Sequence, residues 1–255
     1  MLTVFASFAM PPGEENKIAA SSQFAATQWS TVLEAQRTQP EQARAALERL
    51  CGRYWYPLYA FIRRRGHDPH DAEDLTQSFF AHLLSKDALR HVDRSKGLFR
   101  TFLLASLTNF LNDQRDRQQA AKRGGGKSII SWDEMEAEER YQNEPAGPLS
   151  PEKLFERRWA LTLIEQVMLR LRREYEAGSK QDLFNQLEPC LTGEIDHGFY
   201  DEAAASLGMN AGAVRVALHR LRRRLGELLR SEIAHTVSAP EEIEAEIRYL
   251  FAALA

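Results

Sequence analysis

Apolar residues recur at intervals of three and four along almost the whole of this 255-residue chain. Between residues 41 and 65, the recurring positions are Leu47, Leu50, Tyr54, Leu58, Phe61 and Ile62. That spacing is typical of amphipathic helices, and no stretch shows the strict alternation that a half-buried strand requires. We therefore predict an all-α fold, in a chain long enough for one large domain or two small ones.

Charge is unevenly distributed, although the formal net charge of the whole chain is only −3. Residues 100–127 hold six Lys and Arg against two acids, and residues 211–231 hold six Arg against one acid. Residues 133–156 hold eight acids against two bases. Two basic segments separated by an acidic one favour two contacts with a polyanion, joined by a linker that avoids it. The alternative is that these are ordinary solvated helix faces.

The stretch YDEAAASLGMNAGAVRVALHRLRRRL, residues 200–225, has the form of a helix-turn-helix. The small Ala204 lets two helices approach closely, Gly208 permits the sharp turn, and Asn210 can cap the second helix. We expect buried apolar side chains at Leu207, Met209, Val214, Leu218, Leu221 and Leu225.

The outer face of the second helix is basic. A helix of this shape fits the major groove, with its N-terminal side chains near base edges and its arginines on phosphates. An amphipathic helix in an unrelated bundle is the alternative. The residues that we expect to face outward are Arg215, His219, Arg220, Arg222, Arg223 and Arg224.

Capping signals mark two further helices. Asp68 can cap a helix that has Pro69 in its first turn and an inward stripe of Ala72, Leu75, Phe79 and Leu83. Near the end of the chain, Ser238 and Glu241 have the spacing of a capping box before an amphipathic stretch.

Two blocks of the chain resemble bacterial RNA polymerase sigma factors of the extracytoplasmic-function class. HDPHDAEDLTQSFFAHLL followed by GLFRTFLLASLTNFLNDQRDR is similar to their domain 2, and FYDEAAASLGMNAGAVRVALHRLRRRLGELL to their domain 4. The resemblance implies two small helical domains joined by a flexible acidic linker. The implied ranges are an N-terminal extension at 1–40, domain 2 at 41–123, the linker at 124–153, domain 4 at 154–235 and a C-terminal amphipathic extension at 236–255.

The resemblance also implies roles for individual residues. The helix containing DAEDLTQ would dock on core RNA polymerase through Asp71, Asp74, Gln77 and Phe80. The following basic helix would contact the promoter element nearest the start site through Arg100, Asn109, Asn112, Arg115 and Arg117. The helix-turn-helix would read the upstream element through Asn210, Ala211, Gly212, Arg215 and His219, with Arg220, Arg222 and Arg223 alongside.

The expected partners are therefore core RNA polymerase and promoter DNA, in the cytoplasm. Members of the class commonly have an anti-sigma factor, so such a protein or another regulatory partner is an expectation here. We expect no enzymatic activity, catalytic residue, metal, cofactor, small-molecule substrate or membrane insertion. The GGGKS stretch does not complete a phosphate-binding loop, because Ala121 stands where that pattern requires glycine. The alternative function is a stand-alone regulator that binds an operator through the same helix-turn-helix without polymerase.

Overall fold

Helices make up the regular secondary structure of the residues that the computed structural model describes, which are 54–83, 98–120, 134–144, 149–193 and 195–254. The all-α prediction is confirmed for these residues. No helix among them is long and apolar enough to cross a membrane. In chain order, they are α1 over residues 54–64, α2 Pro69–Leu83, α3 Phe99–Ala120, α4 Glu134–Gln142, α5 Pro151–Ala177, α6 Gln181–Leu187, α7 Pro189–Thr192, α8 Phe199–Leu207, α9 Ala211–Ala234 and α10 Ile243–Leu254, with a 3-10 turn at Pro240–Glu242 before α10.

The described residues form two compact units. The first unit contains the described residues through Thr162 together with Ala234–Leu254, and the second unit contains Leu163–Ile233. One boundary falls inside α5, which contributes its N-terminal part to the first unit. The structure thus places residues 154–162 and the C-terminal helix with the first unit, whereas the sequence-based division placed 154–235 in one domain and 236–255 in an extension.

Aromatic stacking explains why the start of α5 belongs to the first unit. The ring of Trp159 on α5 stacks on Tyr54 of α1, with centroids 4.4 Å apart and planes inclined by 12°. Phe99 of α3 packs against both rings, at 5.6 Å from Tyr54 and 6.0 Å from Trp159. All three residues are buried. The α5 side chains therefore complete the core of the unit that contains α1 and α3.

Helix α2 begins as its sequence predicts. The backbone N–H of Asp71 donates to Oδ1 of Asp68 at 2.8 Å, so Asp68 is the N-cap, and Pro69 occupies the first turn. Ala72, Phe79 and Leu83 are buried, as the predicted inward stripe requires. Leu75, the fourth member of that stripe, is only half-buried.

The acidic segment at 134–144 is an ordered part of the first unit. Glu138 on α4 accepts hydrogen bonds from Arg63 at 2.8 and 2.9 Å and from the Tyr59 hydroxyl at 2.7 Å. Glu144, just after α4, accepts one from Tyr56 at 2.7 Å. The predicted flexible linker over 124–153 therefore does not describe residues 134–144, because Glu138 and Glu144 are held by side chains of α1. Residues 124–133 lie outside the described residues.

In the second unit, a short turn separates α8 from α9, at the place where the sequence predicts a helix-turn-helix. Gly208 adopts a left-handed conformation with φ of 63°, and the N–H of Met209 donates to the Ala204 carbonyl at 2.9 Å, which closes α8. Oδ1 of Asn210 accepts the Ala213 N–H at 2.8 Å and caps α9. The predicted roles of Gly208 and Asn210 are confirmed.

The apolar face of α9 forms much of the core of the second unit. Val214, Leu218, Leu221 and Leu225 are buried, as predicted. They pack with side chains of α5, α6, α7 and α8 in one cluster that includes Leu171, Phe184, Leu187, Leu191 and Ala203. The prediction for Met209 is wrong, because this residue lies in the turn between the two helices and is 38% exposed.

The C-terminal helix begins with a cap that differs by one residue from the prediction. Oε2 of Glu242, rather than Glu241, accepts the backbone N–H groups of Ser238 at 2.9 Å and Ala239 at 3.2 Å. The short 3-10 turn at Pro240–Glu242 brings that carboxylate back over the chain. Helix α10 then buries Glu246 and Leu250 within the first unit.

Candidate nucleic-acid interface

The outward face of α9 carries the strongest candidate DNA-contacting surface in the second unit. The N-terminal half of the helix is exposed at positions three and four residues apart, opposite the buried leucines. This α9 face is formed by Gly212, Arg215, Val216, His219, Arg220 and Arg223. Five of these six were predicted from sequence, and Asn210 and the half-buried Ala211 precede them at the helix start.

The cationic side chains of the α9 face differ in how they are held. The Arg215 guanidinium lies over the Tyr200 ring of α8, 4.8 Å from its centroid. Arg223 pairs with Glu227 one turn later, at 3.2 Å. Arg220 is exposed and makes no ion pair with a described residue. Arg215 is thus supported at the start of the helix, where a recognition helix lies nearest the bases, and Arg220 is available to a phosphate.

Two other arginines of α9 are bound to the second unit itself. Arg222 is half-buried and donates to the Cys190 carbonyl at 2.7 Å. Arg224 donates to both oxygens of Glu174 on α5, at 2.8 and 2.9 Å. The hydrogen bonds from Arg224 hold the pKa of Glu174 below its ordinary value. The structure therefore gives Arg222, which we predicted as a DNA contact, a position that anchors α9 to α7.

Helix α3 carries a second exposed polar surface, in the first unit. Asn109, Asn112, Arg115 and Arg117 are all exposed, whereas Leu103, Leu107 and Leu111 are buried. Phe99 and Phe110 are buried, so they are core residues rather than stacking platforms for bases. Asn109, Asn112 and Arg115 recur every three positions and share one solvent-facing side, and Arg117 is exposed on another side of α3. Amides and guanidinium groups suit phosphate and base contacts.

Arg100 does not share that surface. It lies nine positions before Asn109, which is about two and a half helical turns, so the two side chains leave α3 on opposite sides. Arg100 is 8% exposed and donates from Nε and Nη2 to the two carboxylate oxygens of Glu246, at 2.7 and 3.0 Å. Its predicted role as a phosphate contact does not fit this position, because its donors are occupied by a carboxylate of α10.

The candidate polymerase-binding residues of α2 also differ in how far they are exposed to solvent. Asp71 is exposed, and the Asp74 side chain is 47% exposed with His70 3.6 Å from its carboxylate. Gln77 is half-buried and donates to Glu73 at 3.0 Å. Phe80 is 2% exposed and packs against Phe79, so its predicted role as an apolar contact for polymerase does not fit this structure.

Sequence reasoning missed one residue of the α9 face. Val216 is 50% exposed, the highest value among the large apolar side chains of the described residues that lie on the surface. In the sequence, Val216 stands four residues after Gly212 and directly after Arg215. Its position on the outward face follows from the helical register, because it is two residues from both Val214 and Leu218.

A comparison with protein-family models matches residues 51–121 to Sigma-70 region 2. The matched segment includes α1, α2 and α3, with the candidate residues of α2 and the exposed side of α3. No curated protein and no solved structure gave a significant match.

The chain therefore contains a sigma-70 region 2 domain. This finding supports the expectation of a sigma factor of the sigma-70 family. Such a domain implies a role in transcription initiation and interaction with core RNA polymerase and promoter DNA.

Proposed function

We propose that this protein is a sigma factor of the extracytoplasmic-function class. It binds core RNA polymerase, recognises two promoter elements and directs transcription initiation in the bacterial cytoplasm, without enzymatic chemistry of its own. The observation that carries the proposal is the Sigma-70 region 2 match at 51–121 in a chain that also holds a helix-turn-helix with a basic α9 face.

Each half of the proposal has its own support. In the first unit, the exposed Asp71 and Asp74 offer negative charge at the start of α2, which suits a basic partner surface such as polymerase. The exposed Asn109, Asn112, Arg115 and Arg117 on α3 suit promoter DNA near the start site. In the second unit, the α9 face suits the major groove of the upstream element.

The operator-binding alternative lacks a comparable observation. A stand-alone regulator would use the α9 face but would have no use for a sigma-70 region 2 domain. We also expect a regulatory partner, such as an anti-sigma factor, because the class commonly has one.

Transcription reconstituted from purified parts tests the proposal. The full-length chain is mixed with bacterial core polymerase and a pool of genomic fragments, and the transcripts are sequenced. We expect transcripts that begin at defined start sites and that form only when both the chain and core polymerase are present. Matched reactions with Asp74→Lys should lose these transcripts, whereas Glu176→Lys, a charge reversal on α5 in the second unit, should retain them. A chain that produces no defined start site on any fragment would contradict the proposal.

A further inference from the structure

Val216 has a position that the core of the second unit does not explain. It is two residues from Val214 and two from Leu218, about 200° around the helix from each, so it points away from the buried stripe of α9. That stripe is complete without it. Val216 instead belongs to the α9 face, with Arg215 before it and His219 and Arg220 one turn later.

Gly212 leaves open space in front of Val216. A helical side chain leans toward the N-terminus and covers the turn before its own Cα, so Val216 lies over the turn that contains Gly212. Because Gly212 has no side chain, the backbone there can approach a partner closely. A Cβ added at Gly212 would also lie 3.2 Å from Oδ1 of Asn210, the atom that caps α9. The exposed valine is thus the first bulky apolar side chain on the α9 face.

The surroundings of Val216 favour a polyanion as the partner. Val216 lines one side of an open groove of about 490 Å³ whose lining also includes Tyr175, Lys180, Leu183, Met209 and Arg220. Lys180 and Arg220 are both exposed, and Arg215, directly before Val216 on α9, is exposed as well. Cationic side chains around an apolar one suit duplex DNA, where the phosphates flank the thymine methyl group, the apolar group that the bases present in the major groove.

We propose that Val216 is a specificity-determining residue that contacts the C5 methyl group of a thymine in the upstream promoter element. This inference rests on the proposed function and adds the kind of base that one position of the element requires. Arg215 and Arg220 hold the helix on the phosphates and base edges. Gly212 allows the approach, and the valine methyl groups exclude water from the thymine methyl.

Deoxyuridine provides a probe for this contact, because it lacks only the C5 methyl group and keeps every hydrogen-bonding atom of thymine. Duplexes bound by the full-length chain are first selected from a randomised pool. Each thymine of the selected sequence is then replaced singly by deoxyuridine, and affinities are measured for the wild type and for Val216→Ala. Alanine is a strong helix former and Val216 is half exposed, so the variant should fold, which its melting temperature verifies.

At one thymine, the wild type should bind the deoxyuridine duplex about three- to fivefold more weakly, the effect expected from one methyl group of buried apolar contact. Val216→Ala should bind the thymine duplex more weakly by a similar factor and should not distinguish thymine from deoxyuridine there. Leu169→Ala removes another exposed apolar side chain of the second unit and should keep the wild-type discrimination.

Three results would overturn the inference. Equal deoxyuridine sensitivity in the wild type and Val216→Ala would assign the methyl contact to another residue. A Val216→Ala variant with unchanged DNA binding but weaker binding to core polymerase would make the groove a protein contact. If the wild type selected no sequence from the pool, the chain would recognise no upstream element, and Val216 would have no thymine to contact. In that last case, defined start sites in the transcription reaction would show that the proposed function still stands while the inference fails.

Discussion

Arg100 and Glu246 form a buried, two-point ion pair across 146 residues of sequence, with nitrogen–oxygen distances of 2.7 and 3.0 Å. The Tyr249 ring lies 4.1 Å from the Arg100 guanidinium, and the Tyr249 hydroxyl donates to Glu156. Burial alone would lower the pKa of Arg100, but the hydrogen bond to Glu246 and the charges of Glu246, Tyr249 and Glu156 together raise it. The C-terminal helix is therefore held by the same unit that matches Sigma-70 region 2.

Removing one partner of this pair should destabilise the first unit strongly. Glu246→Ala removes the two-point partner of the buried Arg100 charge and leaves Glu156, 3.7 Å from Nη1, as its remaining ion-pair partner; breaking a buried pair of this kind costs about 3 to 5 kcal/mol. Urea unfolding measures the change in the free energy of unfolding. Glu241→Gln, an exposed acid just before α10, should change it by less than about 0.5 kcal/mol.

The double variant Arg100→Met with Glu246→Leu should recover most of the lost stability, because neither charge then remains buried. Deleting residues 238–255 should destabilise the chain at least as much as Glu246→Ala. If the truncated chain unfolded at the same denaturant concentration as the wild type, α10 would not be an integral part of the first unit.

Glu138 should make the stability of the first unit depend on pH in the acidic range. Hydrogen bonds from Arg63 hold the pKa of Glu138 below its ordinary value of 4.5. A carboxyl group with a lowered folded-state pKa contributes its full stability above its unfolded-state pKa and loses it as the pH falls through the folded-state value. Glu138→Gln should therefore be less stable than the wild type at pH 7 by about 1 to 2 kcal/mol, and the difference should shrink below pH 4.5.

Unfolding curves recorded from pH 7 downward would measure this difference. Glu139→Gln changes an exposed neighbour on the same helix and should follow the wild-type profile. If the free energies of unfolding of the wild type and Glu138→Gln differed by the same amount at every pH, the charge of Glu138 would not contribute to stability.

The arginines of the α9 face should separate into two classes in DNA binding. Arg215→Ala should relax the preference at one base position, because Arg215 lies at the start of the recognition helix, and a good base contact discriminates by about 1 to 3 kcal/mol. Arg220→Ala should weaken binding to all sequences alike and reduce the salt slope by about one, as expected for one lost phosphate contact.

Affinities for the selected duplex and for scrambled duplexes at several salt concentrations distinguish these effects. Arg172→Ala removes a cation that is paired with Glu188, away from the α9 face, and serves as the control. If Arg215→Ala and Arg220→Ala each lowered the affinity for every duplex by the same factor, the assignment of base and phosphate contacts would be wrong.

Charge reversal on α2 should weaken polymerase binding. The Asp74 carboxylate is about half exposed, and Asp74→Lys would place a cation against a basic partner surface, at a cost of several kcal/mol. Fluorescence titration of labelled protein with core polymerase measures the loss. Glu176→Lys makes the same change in charge near the C-terminal end of α5, where a lysine is tolerated by the helix dipole, and should bind normally. Wild-type affinity in a folded Asp74→Lys protein would refute the docking role.

Local signals in the sequence were enough to predict the helices and the helix-turn-helix. Gly208, Asn210 and the leucines of α9 act within a few residues of one another, so their roles follow from spacing and from known caps and turns. Asp68 at the start of α2 is a similar case.

The predictions that do not fit the structure depend on contacts between residues far apart in the chain. Nothing near Arg100 in the sequence indicates that its partner is Glu246. Nothing near Phe80 indicates that the face of α2 that carries this side chain is buried. The acidic stretch at 134–144 looks like a solvated linker until Arg63 and Tyr59, more than 70 residues earlier, supply donors for Glu138. Burial of a polar or aromatic side chain depends on which element packs over it, and the sequence leaves that open.

Size-exclusion chromatography of the full-length chain with bacterial core polymerase, in the presence and absence of a selected promoter duplex, tests the central claim most directly. A sigma factor should elute with core polymerase, the complex should retain the duplex, and Asp74→Lys should remain in its own peak. A wild-type chain that elutes apart from core polymerase and binds the duplex alone, as a dimer, would instead be an operator-binding regulator.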